Sequence, residues 1–119
     1  SNPRPVYVGN PDIVAPREGG FSNEPGAFAH RLADRTGVSP QFFGKPFSNI
    51  FNLAFARLDN SDPARVVMVG DSLHTDILGG HVAEVKTALI SDFGFFSGSD
   101  VTDAISKSGI QPDFILDRP

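Results

Sequence analysis

The chain has 119 residues, 39% of them hydrophobic and 20% charged, with a formal net charge of −4. This is enough for one modest core of ordinary globular composition, and it offers no basic face to nucleic acid. With no cysteine at all, disulfides, thiolate catalysis and Cys-ligated zinc are excluded, and a reducing, cytoplasmic setting is compatible. No apolar run approaches the ~20 residues of a membrane-spanning helix, so no membrane role and no signal segment are expected.

In chain order, Val6-Tyr7-Val8 is a short strand closed by Gly9-Asn10-Pro11-Asp12, a run of turn-forming residues. The stretch through Asn23 holds Pro16 and Gly19-Gly20 with little periodicity and reads as a loop. A helix is expected from Pro25 to Gly37, with Asn23 as its cap and Phe28, Ala29, Leu32 and Ala33 on its inner face. Gln41-Phe42-Phe43-Gly44 reads as a second strand delivering Lys45-Pro46. Ser48 then caps a helix to about Leu58, whose Ile50, Phe51, Ala54, Phe55 and Leu58 recur at helical spacing and read as core.

Residues 59–63 form a turn into Val66-Val67-Met68-Val69, a β-branched run that ends in Gly70-Asp71. Such a run suits a buried strand of a parallel sheet. Thr75 is a candidate N-cap, which would put Asp76 in the first turn of a short helix broken by Gly79-Gly80. Thr87-Ala88-Leu89-Ile90 is a further buried strand, residues 94–98 a loop with exposed aromatics, and Ser99 or Asp100 the cap of a helix ending at Gly109. Phe114-Ile115-Leu116 is the last strand. Strand and helix alternate from Gln41 onward, which is the pattern of βαβ units.

Ligands of such sheets bind outside the carboxyl ends of the strands. Asp71 stands at one such end and Asp76 a short loop later, an arrangement suited to a hard divalent cation whose shell is completed by water and phosphate. Lys45 ends the Phe42-Phe43 strand, and parallel strands would set it on the same sheet edge as Asp71. Mg²⁺ at Asp71 and the Lys45 ammonium would then share the charge of a phosphate. Taken singly, each residue also has a plain role: Asp71 as a turn residue, Asp76 as a carboxylate favoured by the helix dipole, Lys45 as a solvated lysine. His30, His74 and His81 show no ligand spacing.

Gly44-Lys45-Pro46 followed by Val69-Gly70-Asp71-Ser72-Leu73-His74-Thr75-Asp76-Ile77 resembles the third and fourth motifs of the haloacid dehalogenase (HAD) superfamily. With Asn10-Pro11-Asp12 upstream, the resemblance is to its class IIA phosphatases of the nitrophenylphosphatase and pyridoxal-phosphatase kind. It implies a partial Rossmann-like α/β fold, a parallel sheet with flanking helices over 41–119, preceded at 1–40 by the end of a small α/β cap domain. It also implies a Mg²⁺-dependent hydrolase of a small phosphorylated metabolite. Lys45 would be catalytic, steadying the nucleophile and the phosphoryl group; Asp71 and Asp76 would serve the metal; Asn10 and Asp12 would lie near substrate, with a turn role for Asp12 as the alternative.

The chain departs from that family in one large respect: no two of its aspartates are separated by a single residue, whereas the family's nucleophile lies in Asp-x-Asp. The sequence thus looks like the C-terminal portion of a phosphatase, inactive alone because no aspartyl phospho-enzyme can form. The alternative is a non-enzymatic metal- or phosphate-binding module that acts by association. Loss of the nucleophile strand would leave the Val66 strand with an open edge, so a homo-oligomer or a complementing chain is expected to cover it.

Overall fold

A computed structural model describes residues 4–58 and 62–119. By its internal contacts the chain forms two compact units, the first ending at Lys45 and the second running from Pro46 to Pro119. Both are mixtures of helix and parallel strand. The α/β class expected from the sequence is the one observed.

The first unit pairs β1 (Tyr7–Val8) in parallel with β4 (Gln41–Phe42). Between them lies α1 (Pro25–Thr36), which starts with Pro at its first position and ends on Gly37 at φ 70. Glu24, not Asn23, is the N-terminal flanking residue. The stretch expected to be a loop is an antiparallel hairpin, β2 (Val14–Arg17) against β3 (Gly20–Asn23). Its alternation was hidden because nearly every residue on both strands is open to solvent, and because Pro16 reads as a breaker. On α1 the expected inner face narrows to its alanines: Ala29 is buried and Ala33 half-buried, whereas Phe28 and Leu32 are exposed. Arg31 lies over the Phe28 ring, 5.3 Å from its centroid.

The second unit carries a three-stranded parallel sheet in the order β5 (Val67–Gly70), β6 (Lys86–Ile90), β7 (Phe114–Leu116). Its register sets Val67 beside Lys86 and Ala88 beside Phe114. The crossovers between these parallel strands run through α3 (Leu78–Val82) and α4 (Val101–Ser108). Asp100 caps α4 by accepting the Thr102 N–H at 2.8 Å, and Gly109 at φ 70 closes it. Leu73, Ile77, Leu89, Phe96 and Ile105 form the buried core, with Val101, Ala104 and Ile110 against it. Phe96 therefore belongs to the core, although its segment reads as a loop of exposed aromatics.

Before this sheet, α2 (Ser48–Phe55) stops three residues short of Leu58. Of the apolar residues expected on its core face only Phe51 is fully buried. The turn expected at 59–63 lies partly outside the described residues; Asp62 accepts the Ala64 N–H at 3.0 Å and caps a single 3₁₀ turn, Pro63–Arg65.

Gly79-Gly80 does not break the helix after β5 but lies inside α3. Both glycines serve close packing. A Cβ on Gly79 would stand 2.6 Å from the Phe51 ring, and one on Gly80 2.6 Å from Thr87 Cγ2 and 3.0 Å from Met68 Cβ. Helix α3 thus lies closer to α2 and to the sheet than any side chain would permit. That steric need outweighs glycine's poor helix propensity, about 1 kcal/mol per residue.

Strand β7 is latched to β6 by one carboxylate. Asp113 accepts from the Thr87 N–H at 2.9 Å and the Thr87 hydroxyl at 3.0 Å, and it pairs with Lys86 at 2.9 Å. Its own N–H returns a bond to Thr87 Oγ1 at 3.1 Å, so fully buried Thr87 is satisfied. The Lys86 hydrogen bond first, then those from Thr87, hold the Asp113 carboxyl at about 2 against an ordinary 3.8. Because the folded value is the lower one, this stabilisation is complete above about pH 3.8 and is lost as pH falls through about 2. Asp113→Asn should accordingly lower the melting temperature at neutral pH, with the gap to wild type closing as pH falls through that window. A gap that stays constant with pH in thermal melts would show that the charge is not what matters.

Candidate functional site

The Asp71 loop begins where β5 runs out. After Gly70 the chain enters a single π-type helical turn, Leu73–Ile77, continuous with α3. Ser72, in extended backbone, precedes it, and the Asp76 and Ile77 N–H groups both donate to the Ser72 carbonyl at 3.1 Å. Thr75 is therefore inside the turn and caps nothing. Wide turns of this kind are rare and cluster at functional sites.

Asp76 faces inward. It is 2% exposed, and its Oδ2 accepts the backbone N–H groups of Asp71 at 3.1 Å and Ser72 at 3.2 Å. Gly70 makes room for it, since a Cβ there would run into the Asp76 carboxyl group. The two acids do come together, but Asp76 lies beneath the loop with its carboxylate on the loop's backbone. Asp71 is half-buried at the strand end, and its Oδ2 accepts the Phe95 N–H at 2.8 Å. That donor belongs to a 3₁₀ turn, Gly94–Phe96, just after β6. Nothing in the sequence pattern singles out a main-chain donor; the one available signal was a glycine set among phenylalanines.

Lys45, Asn10 and Asp12 belong to the first unit. Lys45 is an exposed residue following Gly44, whose φ is +104. Strand β4 pairs with β1, and β5 with β6, so strand pairing does not set Lys45 and Asp71 on a shared sheet edge. The side chain of Asn10 accepts the Asp12 N–H at 2.9 Å, closing its own turn. The Asp12 carbonyl accepts the Gly26 N–H at 2.9 Å at the start of α1. A Cβ on Gly26 would stand 2.6 Å from that carbonyl oxygen, so the Asn10-Pro11-Asp12 turn packs its backbone onto the helix. Of the histidines, His30 stacks on Phe42 with centroids 5.0 Å apart, and His81 Nε2 lies 3.3 Å from Thr87 Oγ1.

Among the described residues no three His, Cys, Asp or Glu side chains form a ready-made metal cage. A Mg²⁺-like ion does not require one, because it keeps several waters and takes one or two carboxylates with phosphate oxygens. Asp71, a carboxylate at a strand's carboxyl end with one oxygen oriented by a main-chain donor, is a donor of that kind.

Fold and site together define an α/β protein with an acidic loop at the carboxyl end of a parallel strand. Residues 42–118 match the family described as HAD-hydrolase-like, and the chain belongs to that family. It is 34% identical over 105 residues to an acid sugar phosphatase of Staphylococcus saprophyticus, covering 88% of this chain and 38% of that protein. It is 37% identical over 98 residues to the 5'-nucleotidase YutF of Bacillus subtilis, covering 82% of this chain and 38% of that one. Among solved structures, the p-nitrophenyl phosphatase from Archaeoglobus fulgidus superposes with a TM-score of 0.83 at 27% identity, over 96% of this chain and 43% of its own. The chain thus spans well under half the length of these relatives.

Asp76 is the residue on which the loop's shape rests. Asp76→Ala should destabilise the chain by on the order of 3 kcal/mol, since it leaves two part-buried N–H groups without an acceptor. Asp76→Asn keeps a carbonyl oxygen and should lose clearly less in denaturant titration. Equal losses for the two variants would mean that packing, and not the hydrogen bonds, is what Asp76 supplies.

Proposed function

We propose that this chain is part of a Mg²⁺-dependent phosphate-monoester hydrolase and supplies the metal-binding and phosphate-neutralising portion of its site. The observation that carries this reading is the Asp71 carboxylate, fixed at the end of β5 by the Phe95 N–H in a chain of the HAD-hydrolase-like family. The names of its relatives, a sugar phosphatase and a 5'-nucleotidase, support small phosphorylated metabolites as substrates.

In this reading Asp71 ligates the cation and Asp76 acts through Asp71, holding the loop backbone from below. Lys45 meets the phosphoryl charge as a point cation. Asn10 and Asp12 shape the turn at the head of α1 and lie toward the substrate end. The metal supplies Lewis-acid stabilisation of the phosphoryl oxygens when bound. In phosphoryl transfer the protein's contribution is positioning and charge neutralisation, which is what an anchored carboxylate and a lysine provide. The attacking aspartate is assigned to a segment outside these residues, as the chain has no Asp-x-Asp, so the isolated chain is expected to be inactive.

A polypeptide containing this chain together with an Asp-x-Asp segment should hydrolyse p-nitrophenyl phosphate in Mg²⁺ and stop when the ion is chelated. Asp71→Asn and Lys45→Ala should each lower kcat by about 10²–10³. Metal-independent turnover, or full activity in Asp71→Asn, would refute the assignment.

A second reading, association through the sheet, has its own observation. Among the described residues β5 is the end strand of its sheet, and its Val67 and Val69 are 47% and 50% exposed, although the run is β-branched. An open, apolar edge of this kind pairs readily with another strand. The 119-residue chain should therefore elute as a dimer or larger species in size-exclusion chromatography, and a stable monomer at high concentration would count against it.

A further inference from the structure

Residues 93–98 follow β6 and lie outside the fourth motif; Phe96 seats the segment in the core, and its neighbours reach Asp71. The Phe95 N–H donates to Asp71 Oδ2 at 2.8 Å. To present that N–H, Gly94 adopts φ +74, and a Cβ built there would lie 2.6 Å from Asp71 Cγ and 2.9 Å from Asp71 Cβ, overlapping the carboxylate. Position 94 is closed to side chains twice, by backbone conformation and by the carboxylate itself.

Gly98 separates the two effects. It has the same φ, +74, but a Cβ there would meet nothing within 4 Å. Any L-residue at 98 would bear the left-handed strain alone, whereas at 94 it would also displace Asp71.

We infer that Gly94 is a positioning residue for the metal-binding carboxylate: it lets the Phe95 peptide hold Oδ2, so that Oδ1 is the oxygen turned toward the cation. This rests on the reading of Asp71 as the cation's ligand. A carboxylate tethered through one oxygen loses rotational freedom before the ion arrives, so less ordering is left to be done on binding. Outer partners of this kind typically set metal affinity by about 10–100-fold.

The test uses the 119-residue chain as wild type, Gly94→Ala, Gly98→Ala, Asp71→Gly and the Asp71→Gly/Gly94→Ala double variant. Thermal melts without metal are set beside Mn²⁺ titrations followed by electron paramagnetic resonance. Both alanine substitutions should lower the melting temperature, but only the Gly94→Ala penalty should shrink once Asp71 is glycine. Mn²⁺ affinity should fall at least about tenfold in Gly94→Ala and stay at the wild-type level in Gly98→Ala. Should Gly94→Ala fail to fold, the double variant must restore folding.

Strict additivity of Gly94→Ala and Asp71→Gly overturns the inference, as does a double variant that stays unfolded. So does wild-type Mn²⁺ affinity in a folded Gly94→Ala chain, which would leave the metal reading of Asp71 standing. If the wild-type chain itself binds no Mn²⁺, the reading of Asp71 as a ligand fails and the inference falls with it.

Discussion

One buried carboxylate organises this site. Asp76 Oδ2 accepts the peptide N–H groups of Asp71 and Ser72, tying the last residue of the strand exit to the helical turn that follows it. A carboxylate that accepts two main-chain donors fixes the backbone between them more firmly than a neutral acceptor would. The bond also explains its neighbours. Gly70 must lack a side chain because Asp76 fills that space, and the turn over 73–77 is wide enough for the Asp76 side chain to reach back under the loop.

A second tether arrives from the segment after the neighbouring strand, β6. Phe96 anchors the segment after β6 in the same core as Leu73 and Ile77, and the adjoining Phe95 peptide reaches Asp71. The carboxylate is thus held by its own backbone from below and by a foreign peptide from the side. Both supports rest on one apolar cluster. Close approach of α3 to the sheet, made possible by Gly80, which abuts Thr87 and Met68, draws the turn against β6.

Much of the fold was legible in residue pattern. The strands expected at 66–69 and 87–90, the Gly37 and Gly109 helix ends and the Asp100 cap are local features, and local chemistry decides them, although only the second strand is buried as expected. The β2–β3 hairpin was missed because an exposed ribbon has no inward face and so leaves no alternation. Gly79-Gly80 read as a helix breaker because propensity describes an isolated helix; what decided the matter was the Phe51 ring and the Thr87 methyl, contacts made across the sequence. Thr75 looked like a cap for a similar reason. The helical turn starts earlier, at Leu73, with Ser72 as its extended flanking residue.

For the site, Asp71 could be found from the strand that carries it. Asp76 could be found only as an acid near a helix start, and its downward orientation belongs to tertiary structure. The Phe95 donor was invisible, since a backbone N–H has no residue type to recognise. Its trace was a glycine at 94, and only the left-handed φ and the nearby carboxylate give that glycine a meaning.

In the proposed function the Asp71 loop, held by Asp76 and the Gly94–Phe95 peptide, receives a hard cation. The most direct measurement is a Mg²⁺ titration of the uniformly ¹⁵N-labelled chain followed by amide NMR. Saturable shifts concentrated at Asp71, Ser72 and Phe95 are expected, together with their disappearance in Asp71→Asn. Shifts that never saturate, or that spread over the acidic surface and persist in Asp71→Asn, would contradict that reading.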